Sequence, residues 1–139
     1  MRRSQRRPGG VRAIDTNVIV RFLTNDDPAQ AQAARAVIEG GDIFVPVTVL
    51  LETEWVLRSA YGFAAGRVVA ALRGLAGLPG VSVEDPAQLA LALDWMDQGM
   101  DFADALHLTS SRACDAFLTF DRKLVSAAKT MADVPVLAP

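Results

Sequence analysis

Four carboxylates sit where an element of this chain is ending or beginning: Asp15, Glu52, Asp104 and Asp121. Asp15 closes the apolar run Val11-Arg-Ala-Ile14. Glu52 lies early in a helical stretch that follows Ile43-Phe-Val-Pro46. Asp104 falls in the first turn of Phe102-Ala-Asp104-Ala-Leu-His107-Leu, and Asp121 closes Ala116-Phe-Leu-Thr-Phe120. In a parallel α/β sheet, ligands bind at the carboxyl ends of the strands. Residues at those ends are far apart in sequence and close in space. Four carboxylates gathered there repel one another unless a cation holds them. The expected chemistry is therefore that of a hard, oxygen-seeking divalent metal.

Each acid also has a plainer reading. Asp15 can be a turn residue that bonds its own backbone. Glu52 shares a thin polar stripe with Thr48 and Ser59, and Glu54 competes with it for the site. Asp101 reads as an N-cap with Asp104 at the third helical position, a capping box that explains both acids without a metal. Asp101 is otherwise an outer support for a metal ligand. Asp121 can cap the helix that begins Arg122-Lys123. Thr119 either contacts a phosphate or belongs to the strand. His107, one turn after Asp104, reads as a packed residue rather than a base, and Cys114 as a buried structural thiol. Trp55, Trp95 and Phe102 occupy core-like helical positions. Arg112, Arg122 and Lys123 form a solvated face that flanks the acids.

The elements that must position these residues alternate. Strands are expected near 11–14, 43–45, 81–83, 115–118 and 134–137. Helices are expected over 16–23, 29–39, 47–61, 64–75, 86–98, 101–113 and 122–129. Thr16 can cap the first of them, and Pro28 suits the start of the second. The strand runs are short and apolar, as buried strands are. This alternation predicts an α/β fold with a parallel sheet covered on both faces.

Composition limits the alternatives. The chain has 139 residues, 51% of them hydrophobic, enough for a single domain over 11–139 with its own core. Residues 1–10 read as a disordered basic leader or a start-site or vector overhang; they hold Arg2, Arg3, Arg6 and Arg7 and no acid. The net charge is −2, so the rest of the chain carries −6. An acidic body does not attract nucleic acid through bulk charge, and any RNA contact must be local. One cysteine and one histidine exclude an internal disulfide and a Cys/His zinc site. The missing cystine fits a reducing cytoplasm. No uncharged apolar run approaches the roughly 18 residues of a membrane span. No Gly-x-x-x-x-Gly-Lys-Ser/Thr loop and no Gly-x-Ser-x-Gly elbow occurs. Gly74, Gly77 and Gly80 do not open a helix, so they cradle no phosphate.

In order, Ile14-Asp15-Thr16-Asn17-Val18, Leu51-Glu52-Thr53-Glu54-Trp55-Val56-Leu57, Asp101-Phe-Ala-Asp104-Ala-Leu-His107 and Leu118-Thr119-Phe120-Asp121 resemble the PIN-domain ribonucleases, and within them the VapC-like toxins of toxin–antitoxin pairs. The likeness covers nearly everything from Val11 onward; the basic leader departs from it. The resemblance implies a three-layer α/β/α sandwich around a parallel sheet of about five strands. It implies a Mg²⁺- or Mn²⁺-dependent endoribonuclease whose acidic site is Asp15, Glu52, Asp104 and Asp121. Thr16, Asn17 and Thr119 carry over as supporting polar groups. It also implies an RNA substrate, a VapB-like antitoxin seated against the helices over 47–61 and 64–75, and a homodimer. Two rivals are another Mg²⁺-dependent phosphoesterase and a non-catalytic RNA-binding or interaction module on the same fold. A haloacid-dehalogenase phosphatase would need a second Asp where Asn17 stands.

Overall fold

Two of the helices start the same way. Asp27 precedes Pro28 and Asp85 precedes Pro86, and each Asp side chain accepts a hydrogen bond from the backbone N–H three residues on, Gln30 at 3.1 Å and Gln88 at 3.0 Å. The carboxylate satisfies an orphan donor, and the proline fills a position that needs none. The computed structural model describes residues 10–139. The basic leader expected over 1–10 therefore lies, up to residue 9, outside the described residues.

The elements follow in the order β1 (Arg12–Ala13), α1 (Thr16–Leu23), α2 (Pro28–Glu39), β2 (Ile43–Val45), α3 (Val47–Ser59), α4 (Ala65–Ala76), β3 (Val81–Val83), α5 (Pro86–Asp97), α6 (Phe102–Ser110), β4 (Phe117–Leu118), α7 (Arg122–Ala128) and β5 (Val136–Leu137). The chain has the expected α/β architecture, and every strand pair is parallel. Hydrogen bonding groups the five strands as β1-β2-β3 and β4-β5. The chain forms two compact units, the first ending at Glu84 and the second spanning Asp85–Pro139.

In the first unit β2 is the central strand, with Ile43 and Val45 fully buried. Ile43 pairs with Arg12 on one side and Val81 on the other. Helix α1 packs on α2, where the small side chains of Ala31 and Ala34 are buried and permit close approach. Helix α3 buries Leu50, Thr53, Glu54 and Leu57, a stripe at i, i+3, i+4 and i+7. Its first N–H, on Val47, is met by the Glu84 carboxylate at 3.0 Å. In the second unit α5 packs on α6. Gln88 joins them, donating to Thr109 Oγ1 at 3.1 Å and Ser110 Oγ at 2.8 Å.

Four expectations change here. Trp55 is 58% exposed, because it lies off the buried stripe of α3; Trp95 and Phe102 are buried as expected. Cys114 is exposed, in the turn after α6. Only β2 is buried as a run: Leu118 of β4 and Leu137 of β5 are half exposed or more, since both strands of a two-stranded sheet are edges. Helix α6 also ends at Ser110 rather than near 113. The Ser111 hydroxyl donates back to the His107 carbonyl, an alternative partner to continued helix.

The entry to the β2–β3 pair depends on two glycines in contact. Gly80 has φ +78°, and a Cβ there would lie 2.6 Å from Gly41 Cα and 3.2 Å from Asp42 N. Gly62 has a similar φ of +69° but open space around it. Gly62→Ala should cost only the left-handed backbone penalty, about 1–2 kcal/mol. Gly80→Ala adds a collision with backbone and should cost clearly more. Urea unfolding of both variants measures the difference, and equal losses would show that the glycine contact is immaterial.

Candidate functional site

Asp15 leaves β1 with extended backbone and becomes the N-cap of α1. Its Oδ1 accepts from the Val18 N–H at 3.1 Å. The capping role expected of Thr16 thus belongs to Asp15, because Thr16 is already the first helical residue. Thr16 is buried, and its hydroxyl reaches across to α3, donating to Glu52 Oε1 at 2.5 Å. That bond fixes one carboxylate oxygen of Glu52. Asp15, Thr16, Asn17 and Glu52 line one open cavity of about 450 Å³, together with Val20, Arg21, Val56, Ala60 and Tyr61.

The rotation of α3 places Glu52 and Glu54 in different surroundings. Glu54 is 2% exposed and lies on the buried stripe. It accepts from Arg58 Nε at 2.8 Å, an i,i+4 ion pair. A buried carboxylate needs such a partner. Glu52 lies off the stripe, exposed, on the cavity wall. Glu54 has a structural task and Glu52 is available to a ligand.

The second unit assembles its own acids. Asp101 is the N-cap of α6, and its Oδ2 accepts from the Asp104 N–H at 3.2 Å. This is the forward half of the expected capping box. Asp121 is the N-cap of α7, accepting from Lys123 N at 3.0 Å and Leu124 N at 3.1 Å. Thr119 steadies it from before, its Oγ1 accepting from the Asp121 N–H at 3.0 Å. Partial burial pushes the Asp104 carboxyl above its usual range, and the negative charges of Asp101 and Asp121 push it the same way; His107 opposes them. His107 stacks on the Phe117 ring, with centroids 6.3 Å apart and planes 14° apart. The His107 side chain is nevertheless exposed, so it is stacked on one ring rather than packed in the core.

Among the described residues no three of His, Cys, Asp and Glu make a ready-formed metal cage. The donors nevertheless suit a hard cation. They are carboxylate oxygens with hydroxyl and amide neighbours, and the crowding around Asp104 is a local excess of negative charge that a divalent ion would relieve.

Sequence reasoning passed over Arg21 and Tyr61. Arg21 had a weak signal, since it follows Asn17 by one helical turn and so shares its face. Tyr61 had none, because it reaches the cavity only through the packing of α3 against α1.

The upward displacement of the Asp104 carboxyl has a consequence for stability. Between its unfolded and folded values the native state holds the extra proton, so stability falls as pH rises through that window. Above the window the penalty is complete. In chelator, Asp104→Asn should therefore melt higher than wild type at pH 7. The gap should close as pH falls below the usual carboxylate range. A calorimetric pH series checks this; a variant that melts lower at pH 7 contradicts it.

The PIN domain family model matches residues 13–130, most of the chain, so the chain belongs to the PIN domain family. No curated protein matches the chain. The PIN domain is generally a nuclease fold that binds divalent metals, and its members commonly bind RNA and antitoxin partners.

Proposed function

From this family membership, we propose that the chain is a Mg²⁺- or Mn²⁺-dependent endoribonuclease and the toxin of a VapBC-type toxin–antitoxin pair. The observation that carries the reading is the cavity in which Asp15 and Glu52 stand together, with Thr16 bonded to one oxygen of Glu52. Among the described residues, that wall carries the oxygen donors of Asp15, Thr16, Asn17 and Glu52 and no cysteine or histidine.

By the family motifs, Asp15, Glu52, Asp104 and Asp121 are the residues that would hold the metal. Thr16 sets the orientation of Glu52 and so leaves its second oxygen for the ion. Asp101 orders the first turn of α6, and with it the backbone that presents Asp104. Thr119 does the same for Asp121. Asn17 adds an amide to the cavity wall. When bound, the metal lowers the pKa of water and neutralises the phosphate under attack. Water attacks phosphorus in line, the P–O bond to the 3′ oxygen breaks, and the products carry 5′-phosphate and 3′-hydroxyl ends. No 2′-hydroxyl nucleophile and no histidine base take part.

On this reading the substrate is RNA, and a VapB-like antitoxin restrains the enzyme by bringing a basic side chain to the carboxylates. The chain works as a homodimer in the cytoplasm. Among the described residues no helix is long and apolar enough to cross a membrane.

Cleavage of a fluorogenic oligoribonucleotide should stop in excess EDTA and return with Mg²⁺ or Mn²⁺. Full activity in EDTA would overturn the mechanism. Asp15→Asn, Glu52→Gln and Asp104→Asn should each lower kcat by at least about 100-fold, since even outer supports of a metal ligand cost about 10–100-fold. Their circular dichroism should match wild type. Glu54→Gln should instead lose stability, by about 1–3 kcal/mol, as the ion pair of its buried carboxylate with the exposed Arg58 is weakened. Inactivation of a folded, stable Glu54→Gln would transfer the role from Glu52 to Glu54.

A further inference from the structure

Arg21 lines the acidic cavity and also a second one, of about 310 Å³, that runs between α1 and α2. Asp15 and Asn17 line both as well, and among the described residues Arg21 is the only basic one on either wall. Its guanidinium is fixed on two of its three nitrogens. Nε donates to Gln30 Oε1 at 2.7 Å, and Nη1 donates to Asp26 Oδ1 and to the Tyr61 hydroxyl, both at 3.2 Å. The Tyr61 hydroxyl in turn donates to Asp26 Oδ2 at 2.6 Å, and Thr24 donates to Asp26 Oδ1 at 2.9 Å. Hydrogen bonds from Tyr61 and Thr24, with the Arg21 charge beside them, hold the Asp26 carboxyl below its usual range. Asp26 thus stays ionised as an anchor. The Nη2 edge of Arg21 meets no acceptor among the described residues.

A guanidinium held in one plane with one edge unused is a prepared donor for an oxyanion. Its surroundings select which oxyanion. A free anion is repelled by Asp15 and Glu52 on the same wall. A phosphate carried on a longer chain is delivered there by its neighbours. The second cavity adds apolar lining from Val18, Ala33, Ala34 and Val37, suited to the face of a ribose or a base. A single-stranded polynucleotide alternates these two features.

We propose that the Nη2 edge of Arg21 binds a phosphate of the RNA strand next to the bond that is cut, with Tyr61, Asp26 and Gln30 holding the guanidinium in place. This rests on the ribonuclease reading and names a substrate-positioning residue for it.

The test uses the full chain with Arg21→Gln, Arg21→Lys and Tyr61→Phe. Binding of a fluorescent single-stranded oligoribonucleotide is measured across a salt series in Ca²⁺, and cleavage kinetics are measured in Mg²⁺. Arg21→Gln should raise both Kd and KM about tenfold or more, the scale of a lost charged hydrogen bond, with kcat within about twofold. Its log–log salt slope should fall by about 0.7, one phosphate contact on a single strand. Arg21→Lys should restore the slope but only part of KM, because the fork is lost. Tyr61→Phe loosens the guanidinium without removing it and should raise KM less. It also keeps the series readable if Arg21→Gln unfolds, which melting curves will show. Wild-type Kd, KM and slope in folded Arg21→Gln would overturn the phosphate contact and leave the nuclease standing. RNA binding that depends on Arg21, without any cleavage, would keep the contact and remove the nuclease. Failure of wild type to bind RNA at all would overturn the contact.

Discussion

The structure depends on carboxylates placed at helix starts, where one side chain serves the backbone N–H groups of the first turn. Asp15, Asp101 and Asp121 are all N-caps, and Asp104 sits in a first turn. The orphan N–H groups and the dipole of the helix hold these acids in place. A cap uses one carboxylate oxygen, as Asp15 Oδ1 and Asp121 Oδ1 show, and leaves the other. The plain reading of these residues as caps and the chemical reading as ligands are therefore compatible. On the proposed reading, the cap is the means by which the ligand is aimed.

The cost of that arrangement is visible at Asp104. Its carboxyl is partly desolvated and faces Asp101 and Asp121, so its charged form is disfavoured. Only His107 offsets this locally. Such a group is poorly suited to a purely structural role and well suited to a site that gains a cation. The first unit handles its acids differently. There a neutral hydroxyl, that of Thr16, holds Glu52, and the one carboxylate that is buried, Glu54, has Arg58 for a partner. Within this unit, Glu54 is buried in an ion pair while Glu52 stays exposed.

The polar network around Arg21 extends the same logic to a cation. Asp26, Gln30 and Tyr61 use up most of its donors and leave one edge. Ordering a long side chain in advance removes the entropy that binding would otherwise cost. Arg21 and Asn17 share a helix face, while Asp26 and Tyr61 come from a loop and from the residues that follow α3. On the proposed reading, Arg21 supplies a fixed positive group along the path of RNA that the acidic bulk charge does not.

The sequence alone determined the order of strands and helices, the parallel α/β class, and the acids at the element boundaries. These follow from local rules: apolar periodicity, Asp-Pro helix starts, and carboxylates beside free N–H groups. The ordered motifs identified the family that the match over 13–130 bears out. Tertiary structure decided everything that turns on the rotation of a helix or on long-range contact. Composition did not show that Glu54 faces inward and Glu52 outward, since two positions apart on a helix the side chains point about 200° apart and only packing says which is buried. The exposure of Trp55 follows from the same rotation of α3. Thr16 met its partner 36 residues away, and Tyr61 met Asp26 across 35. No local rule reaches so far, because these bonds exist only once α1 and α3 have packed together.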